Sequence, residues 1–126
     1  MLAMKVITAR LDGIQTLVFD EVDAGISGRI GEVVAEKLVT VSFARQVIAI
    51  THLPQVAAMS DDHYLIEKGT EDGITRTALI KLDEDGVVKE VERLAAGAGT
   101  YGILHAKELR KISLEKKKDL GKSIIN

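Results

Sequence analysis

The sequence Thr16-Leu17-Val18-Phe19-Asp20-Glu21 is a short apolar run that ends abruptly in two acids. Such a run is typical of a strand that is buried on both faces of a sheet. A second run, residues 46–50, ends at Thr51 and His52, and between the two runs apolar residues recur at helical spacing from Ile30 to Val41. The order strand, helix, strand predicts a right-handed βαβ unit with two parallel strands.

The polar residues that follow the two strands are the first candidates for a site. Ligands of open α/β sheets bind beyond the carboxyl ends of the strands, so we expect Asp20, Glu21 and His52 around one crevice. One carboxylate can hold a hydrated Mg²⁺ while the other activates a water molecule, and the imidazole can donate a hydrogen bond to a phosphate oxygen. Taken singly, an acidic pair is more often a loop start or helix cap and a strand-end histidine is more often structural; taken together, the three favour phosphate chemistry.

Two further helices and a loop are predicted in the first half of the chain. The loop Ala24-Gly25-Ile26-Ser27-Gly28 has a plain structural interpretation, because Ser27 can cap the helix that follows and the glycines can permit the turn. Pro54 suits the first turn of a short helix over residues 53–60. Amphipathic spacing also predicts a helix over residues 1–11, without a capping residue before it.

The second half of the chain has the pattern of an edge hairpin followed by two helices. In chain order we predict strands at 64–67 and 74–80 with a turn at 71–73 between them, a second turn at 83–86, and helices over 87–95 and 103–112. His63 follows two aspartates, but it has no clear further metal ligand, and we interpret both it and His105 as structural. We interpret the basic C-terminal stretch as a solvated helix end or a frayed terminus rather than a DNA contact; its cations are Lys107, Arg110, Lys111, Lys116, Lys117, Lys118 and Lys122.

Composition narrows the class of protein. The 126 residues are 46% hydrophobic, 29% charged and only 3% aromatic, which favours one α/β domain with an aliphatic core. The sequence has no apolar run near the roughly 18 residues that cross a bilayer and no signal-peptide pattern, so we expect a cytoplasmic protein. The absence of cysteine excludes disulfides and thiolate metal sites, and the net charge of −2 restricts any DNA contact to a local patch.

Three stretches resemble known motifs of ABC ATPases. Residues 16–21 resemble the Walker B motif, an apolar strand followed by a magnesium-associated aspartate and a catalytic glutamate. Residues 22–28 resemble the D-loop of the RecN family, which is related to the SMC proteins, and residues 50–57 resemble the segment around that family's switch histidine. The resemblance implies that residues 1–126 are the C-terminal portion of an ABC/SMC-type P-loop NTPase head, an α/β fold with parallel strands, flanking helices and an edge β-hairpin.

The same resemblance implies a role for each matching residue. Asp20 would hold Mg²⁺, Glu21 would orient or deprotonate the attacking water, and His52 would contact the terminal phosphate of ATP. The D-loop would bind across an ATP-sandwiched homodimer; its residues are Asp23, Ala24, Gly25, Ile26 and Ser27. Ser27 departs from the acidic residue common near this point in SMC proteins, which puts SMC-like contacts there in doubt. The implied whole is a bacterial, cytoplasmic and nucleoid-associated ATPase that acts on DNA in double-strand-break repair.

Two motifs of a complete head are missing from this sequence. No G-x-x-x-x-G-K-[ST] pattern is present to cradle the phosphates, and no ABC signature motif is present. Phosphoryl transfer depends on positioning and charge stabilisation, so we expect little ATP hydrolysis without an N-terminal head segment as partner. Two alternatives stay open, a self-sufficient Mg²⁺-dependent phosphohydrolase and a non-catalytic interaction module.

Overall fold

The computed structural model describes residues 13–21, 23–26, 28–96 and 102–125. The elements in chain order are β1 (Thr16–Asp20), α1 (Arg29–Ser42), β2 (Gln46–Ile50), α2 (Pro54–Ala58), β3 (Tyr64–Glu71), β4 (Ile74–Lys81), α3 (Glu84–Ala96) and α4 (Ile103–Ile125). The helix predicted over residues 1–11 lies outside the described residues. None of the helices in the described part of the chain is both long enough and apolar enough to cross a membrane.

The predicted order of strand, helix and strand, with two parallel strands, is confirmed. Strands β1 and β2 pair in parallel, with Thr16 opposite Gln46 and Asp20 opposite Ile50. Helix α1 covers one face of this pair, and Phe19, which is 1% exposed, packs into the cluster that α1 forms there. Full burial of a side chain of this size contributes about 1.5–3 kcal/mol, which makes Phe19 a principal anchor of the strand pair on α1.

The sequence predicted that these strands are buried on both faces. This prediction is wrong for the described residues. Successive side chains of a strand point to opposite faces, so Phe19 faces α1 while Val18 points away from it. On that second face Val18 is 57% exposed, and Ile48 and Ile50 are each 47% exposed. We call these three residues the open face of the sheet. The sequence predicted two buried faces because all the strand positions in question are apolar, although only one face has a covering layer among the described residues.

The predicted hairpin is confirmed and is longer than expected. Strands β3 and β4 pair antiparallel from Tyr64–Lys81 to Glu71–Ile74 as a separate two-stranded sheet. The two turn residues, Asp72 and Gly73, have φ values of 51° and 75°. Two successive positive φ values are what a type I′ turn needs, and an Asp-Gly pair adopts them readily. The turn chemistry therefore sets the register of the whole hairpin.

The turn predicted at residues 83–86 is wrong, because residues 84–86 form the first turn of α3 and Asp83 caps it. The carboxylate of Asp83 accepts a hydrogen bond from the Gly86 N–H at 2.8 Å, as a helix-capping aspartate does. Asp and Gly occur in both turns and helix caps, so their presence alone did not separate the two structures. Helix α3 then packs on α2 and α4 in a second buried cluster, consisting of Ala57, Ala58, Val87, Val88, Val91 and Ala106.

Helix α4 extends to Ile125, well past the predicted end, and its basic side chains are not all solvated. Arg110 is 6% exposed and donates from Nη1 to the carbonyl oxygens of Ala58 and Ser60, at 2.7 and 2.8 Å. Lys117 donates to the Met59 carbonyl at 3.2 Å. These cations satisfy carbonyl groups at the C-terminal end of α2, as basic side chains commonly do at helix ends. The interpretation of the stretch as a solvated end is therefore wrong for Arg110 and Lys117.

Candidate functional site

The site lies where β1 and β2 end. Because Asp20 and Ile50 are paired in register, the residues that follow them leave the sheet side by side. The structure thus brings Asp20 and Glu21 to the same edge as Thr51 and His52, as the sequence predicted. Asp20 and Glu21 are exposed, and the His52 side chain is 67% exposed. All three predicted chemical groups are accessible to a ligand at this edge.

The backbone at Glu21 is strained. Its φ is 49°, in the left-handed region that non-glycine residues rarely adopt, and its carbonyl accepts a hydrogen bond from the Ala24 N–H at 3.2 Å. A glutamate in this region costs about 1–3 kcal/mol, and such strain is concentrated at functional sites. Sequence patterns gave no sign of it, since glutamate is not a residue that favours positive φ.

The buried side chain of Asp23 connects the segments that follow β1 and β2. Its residue surface is 0% exposed, and its Oδ2 accepts hydrogen bonds from the Thr51 hydroxyl and from the His52 N–H, the latter at 2.9 Å. The same oxygen lies 3.4 Å from His52 Nδ1. The Thr51 oxygen also accepts a hydrogen bond from the Leu53 N–H at 3.0 Å. One carboxylate therefore organises the segment that carries the histidine.

The electrostatics of Asp23 reflect this arrangement. Burial acts to raise the pKa of Asp23, but the hydrogen bonds from the Thr51 hydroxyl and the backbone N–H groups of His52 and Asp23 itself, together with the nearby imidazole, hold it below its ordinary value. The carboxylate is consequently ionised at neutral pH. Its second oxygen, Oδ1, is buried and has no hydrogen-bond partner among the described residues.

The remaining residues of the predicted D-loop are placed differently from one another. Ala24 and Gly25 are exposed, with Gly25 at a φ of 74° that favours glycine, while Ile26 is partly buried against the Phe19 cluster. Ser27 lies outside the described residues. We expected Asp23 to face a second head with the rest of the loop. Within this chain its carboxylate is buried and accepts hydrogen bonds from Thr51 and His52.

The residues present fit a magnesium site of the phosphate-dependent kind. Mg²⁺ keeps several of its waters and is commonly held by one or two carboxylates together with substrate phosphates. The exposed acids at the end of β1 offer such a donor set. The described residues contain no cluster of three or more His, Cys, Asp or Glu side chains that forms a metal site by itself. His63, which follows two aspartates, is half-buried, and burial lowers its pKa.

One short sequence near the C-terminus resembles part of a phosphate-binding loop. Gly121, Lys122 and Ser123 match the last three positions of the G-x-x-x-x-G-K-[ST] pattern, but Lys116 stands where the first glycine is required. The three residues also lie inside α4, where Lys122 pairs with Asp119 at 3.1 Å. A helical segment has no free backbone N–H groups to cradle a phosphate, so this match is coincidental.

Comparisons with known proteins relate this chain to DNA repair proteins. It is 45% identical over 113 residues to the DNA repair protein RecN of Bacillus subtilis, covering 88% of this chain and 20% of that protein. It is 42% identical over 105 residues to RecN of Xylella fastidiosa Temecula1 (83% and 19%) and 43% identical over 95 residues to RecN of Deinococcus radiodurans (75% and 17%). The chain thus spans about a fifth of the length of these relatives. No protein-family model matches it.

The fold has a relative among solved structures. A chain from a study of ATP-driven dimerization and DNA-stimulated activation of SMC ATPases superposes with a TM-score of 0.58 at 22% identity, covering 80% of this chain and 58% of that one. This likeness confirms an α/β fold similar to that of the SMC ATPase chain, with parallel strands and an antiparallel hairpin. The sequence identities show that this chain is homologous to one segment, about a fifth of the total length, of proteins named DNA repair protein RecN.

Proposed function

We propose that this chain, residues 1–126, is the C-terminal head segment of a RecN-like protein of DNA double-strand-break repair, and that it contributes magnesium-binding and water-activating residues to ATP hydrolysis. The observation that carries the proposal is the parallel pairing of Asp20 with Ile50, which sets the acids and His52 at one sheet edge. The similarity to proteins named for DNA repair supports the cellular role. The SMC-type fold supports the choice of an ATPase head.

In this proposal three residues act directly on the nucleotide. Asp20 holds Mg²⁺, which when bound neutralises charge on the phosphate oxygens. Glu21 orients the attacking water or accepts its proton. His52 donates a hydrogen bond from Nε2 to an oxygen of the terminal phosphate, since its Nδ1 faces Asp23. The strain at Glu21 supports a chemical role, because a residue selected only for a turn would ordinarily be one that tolerates positive φ.

The proposal gives this chain two protein partners and one nucleic-acid partner. An N-terminal head segment with the Walker A and signature motifs covers the open face of Val18, Ile48 and Ile50, whose apolar side chains would lose their contact with water there. The exposed part of the D-loop, Ala24 and Gly25, faces a second head in an ATP-sandwiched homodimer. DNA is contacted through the full-length protein, in the cytoplasm at the nucleoid.

The test is Mg²⁺-dependent ATP hydrolysis by this chain mixed with the matching N-terminal head segment. We expect turnover only in the mixture, and we expect Glu21→Gln to lower it about 10²–10⁴-fold, the usual contribution of a general base. Glu67→Gln, on the exposed surface of β3, is the matched control and should retain the native rate. If the native and Glu21→Gln mixtures both bind ATP and hydrolyse it at equal rates, the catalytic role of Glu21 is contradicted. The alternative of a non-catalytic interaction module would then be favoured.

A further inference from the structure

We propose that Asp23 is a positioning residue, which locks the loop after β1 to the loop after β2 and fixes the ring of His52 with Nε2 directed outward. The inference deepens the proposed function and rests on it for its catalytic consequence. Its structural part concerns only the contacts between Asp23, Thr51 and His52, and it can be tested without nucleotide.

The burial of Asp23 is the first step of the argument. An ionised carboxylate is costly to bury unless hydrogen bonds compensate for the lost water. Asp23 is 0% exposed, while Asp20 and Glu21 in the same segment are exposed. The compensation comes from the other strand end, through the Thr51 hydroxyl and the His52 N–H. The carboxylate is therefore placed to connect the two loops and is not available to reach a ligand.

The second step concerns the tautomer of His52. The Asp23 Oδ2 atom is 3.4 Å from Nδ1, and a carboxylate favours an N–H group facing it over a nitrogen lone pair. The proton is consequently held on Nδ1, and the other nitrogen, Nε2, is left for the ligand. When the ring also carries a proton on Nε2, as donation to a phosphate oxygen requires, the Asp23 carboxylate balances its positive charge. The histidine side chain is 67% exposed, so its free end is accessible.

The third step is the link to the core. Thr51 donates its hydroxyl proton to Asp23 and accepts a hydrogen bond from the Leu53 N–H at 3.0 Å. Leu53 is 5% exposed and belongs to the cluster around Phe19. His52 lies between these two fixed residues. Its backbone is therefore tied to the carboxylate on one side and to the hydrophobic core on the other, which limits the positions that the ring can take.

The direct test is nitrogen-15 NMR of the imidazole of His52 in this chain, without ATP. We expect the native chain to have the neutral ring predominantly protonated on Nδ1, and Asp23→Ala to shift the population towards Nε2–H. Asp23→Asn keeps the shape of the side chain but removes its charge, so it should give an intermediate population and serves where the alanine variant does not fold. Asp83→Asn, which changes a helix-capping carboxylate in another element, is the control and should leave the spectrum unchanged. A tautomer population unaffected by both Asp23 variants would overturn the inference.

The catalytic consequence is tested in the mixture with the N-terminal head segment. We expect Asp23→Asn to lower kcat about tenfold or more, the usual scale for a group that orients a ligand-binding histidine, with a smaller change in KM for ATP. The double variant Asp23→Asn/His52→Ala should be no slower than His52→Ala alone, because Asp23 acts through that ring. If the double variant instead lost kcat by the product of the two separate losses, the positioning role would be overturned. A mixture without any turnover would refute the proposed function, while the NMR result would still decide the contacts of Asp23.

Discussion

Two buried charges lie on either side of α2, and their surroundings differ. Asp23 contacts the residues just before Pro54, and its Oδ1 has no hydrogen-bond partner among the described residues, whereas Arg110, at the end of the helix, forms four hydrogen bonds. Arg110 gives two hydrogen bonds to carbonyl groups and forms a two-pronged pair with Glu84 at 2.9 and 3.0 Å. Arg110 has the features of a structural clamp, because its hydrogen bonds go to the end of a helix and to Glu84. Asp23, close in sequence to the strained Glu21, binds the segment that carries His52.

The largest effect on stability is expected at the clamp. Replacing Arg110 by methionine keeps much of the apolar contact but leaves the carbonyl groups of Ala58 and Ser60 without donors. Each unsatisfied buried group costs about 1–3 kcal/mol, so we expect the free energy of unfolding in urea to fall by about 3 kcal/mol. The His52 tautomer should persist under conditions where the variant is folded, because Asp23 keeps its contacts.

Glu84→Gln is the matched control for the clamp. It removes only the exposed partner of Arg110, since the Glu84 side chain is 61% exposed. A solvent-exposed ion pair contributes about 0.5 kcal/mol, and we expect a loss of that size. If Glu84→Gln destabilised the chain as much as Arg110→Met, the ion pair and not the helix capping would be the main function of Arg110.

The next effect is the acid dependence that Asp23 confers. Its pKa is depressed in the folded chain, so its contribution to stability is fully present above the unfolded aspartate pKa of about 3.9 and is lost as the pH falls through the lower folded value. Asp23→Asn removes this dependence. We expect urea unfolding at a series of pH values to show a smaller loss of stability below about pH 4 in the variant than in the native chain.

Asp62→Asn controls for the general effect of removing an acid. Asp62 is 61% exposed and pairs with Lys81 on the surface, so its replacement should leave the acid dependence close to native. The native chain and the Asp23→Asn variant could instead show the same change of stability with pH. That result would mean that the carboxylate is not preferentially stabilised in its ionised form. That result would also weaken the case for the contacts of Asp23 with Thr51 and His52.

Much of this architecture could be predicted from the sequence, for identifiable physical reasons. The βαβ unit follows from two apolar runs and a helical period between them, and the hairpin follows from an Asp72-Gly73 turn between alternating strands. The meeting of Asp20 and His52 at one edge needed only the rule that parallel strands end together. These features depend on local patterns or on general topology, which a single sequence contains.

The features that sequence did not predict depend on which residue pairs across the fold. Nothing local distinguishes Asp23, which is buried, from Asp20, which is exposed three residues earlier; the difference comes from Thr51, 28 residues away. In the same way, Arg110 stood in a basic stretch with a solvated pattern, yet it contacts α2 some 50 residues earlier in the chain. Buried charges at such separations can be assigned only once the fold brings their partners together.

A smaller change in stability than at Arg110, and the one most informative about the site, is expected at Glu21. If the strain at its φ of 49° is tolerated for the sake of the carboxylate, then Glu21→Gly should raise the free energy of unfolding by about 1 kcal/mol while it abolishes hydrolysis in the completed head. Asp72→Gly is the matched control, because Asp72 has a similar φ of 51° in a hairpin turn. Aspartate tolerates this conformation better than glutamate, so the control should gain less.

A gain at Glu21 together with a loss of turnover would mean that stability is sacrificed at this position for chemistry. Equal gains at both positions would show only that glycine suits a left-handed turn. A loss of stability in Glu21→Gly would indicate that the glutamate side chain makes a stabilising contact that outweighs the backbone strain. In that case the strain would no longer distinguish the end of β1 from an ordinary turn, and the contrast between the site and the Arg110 clamp would depend on Asp23 alone.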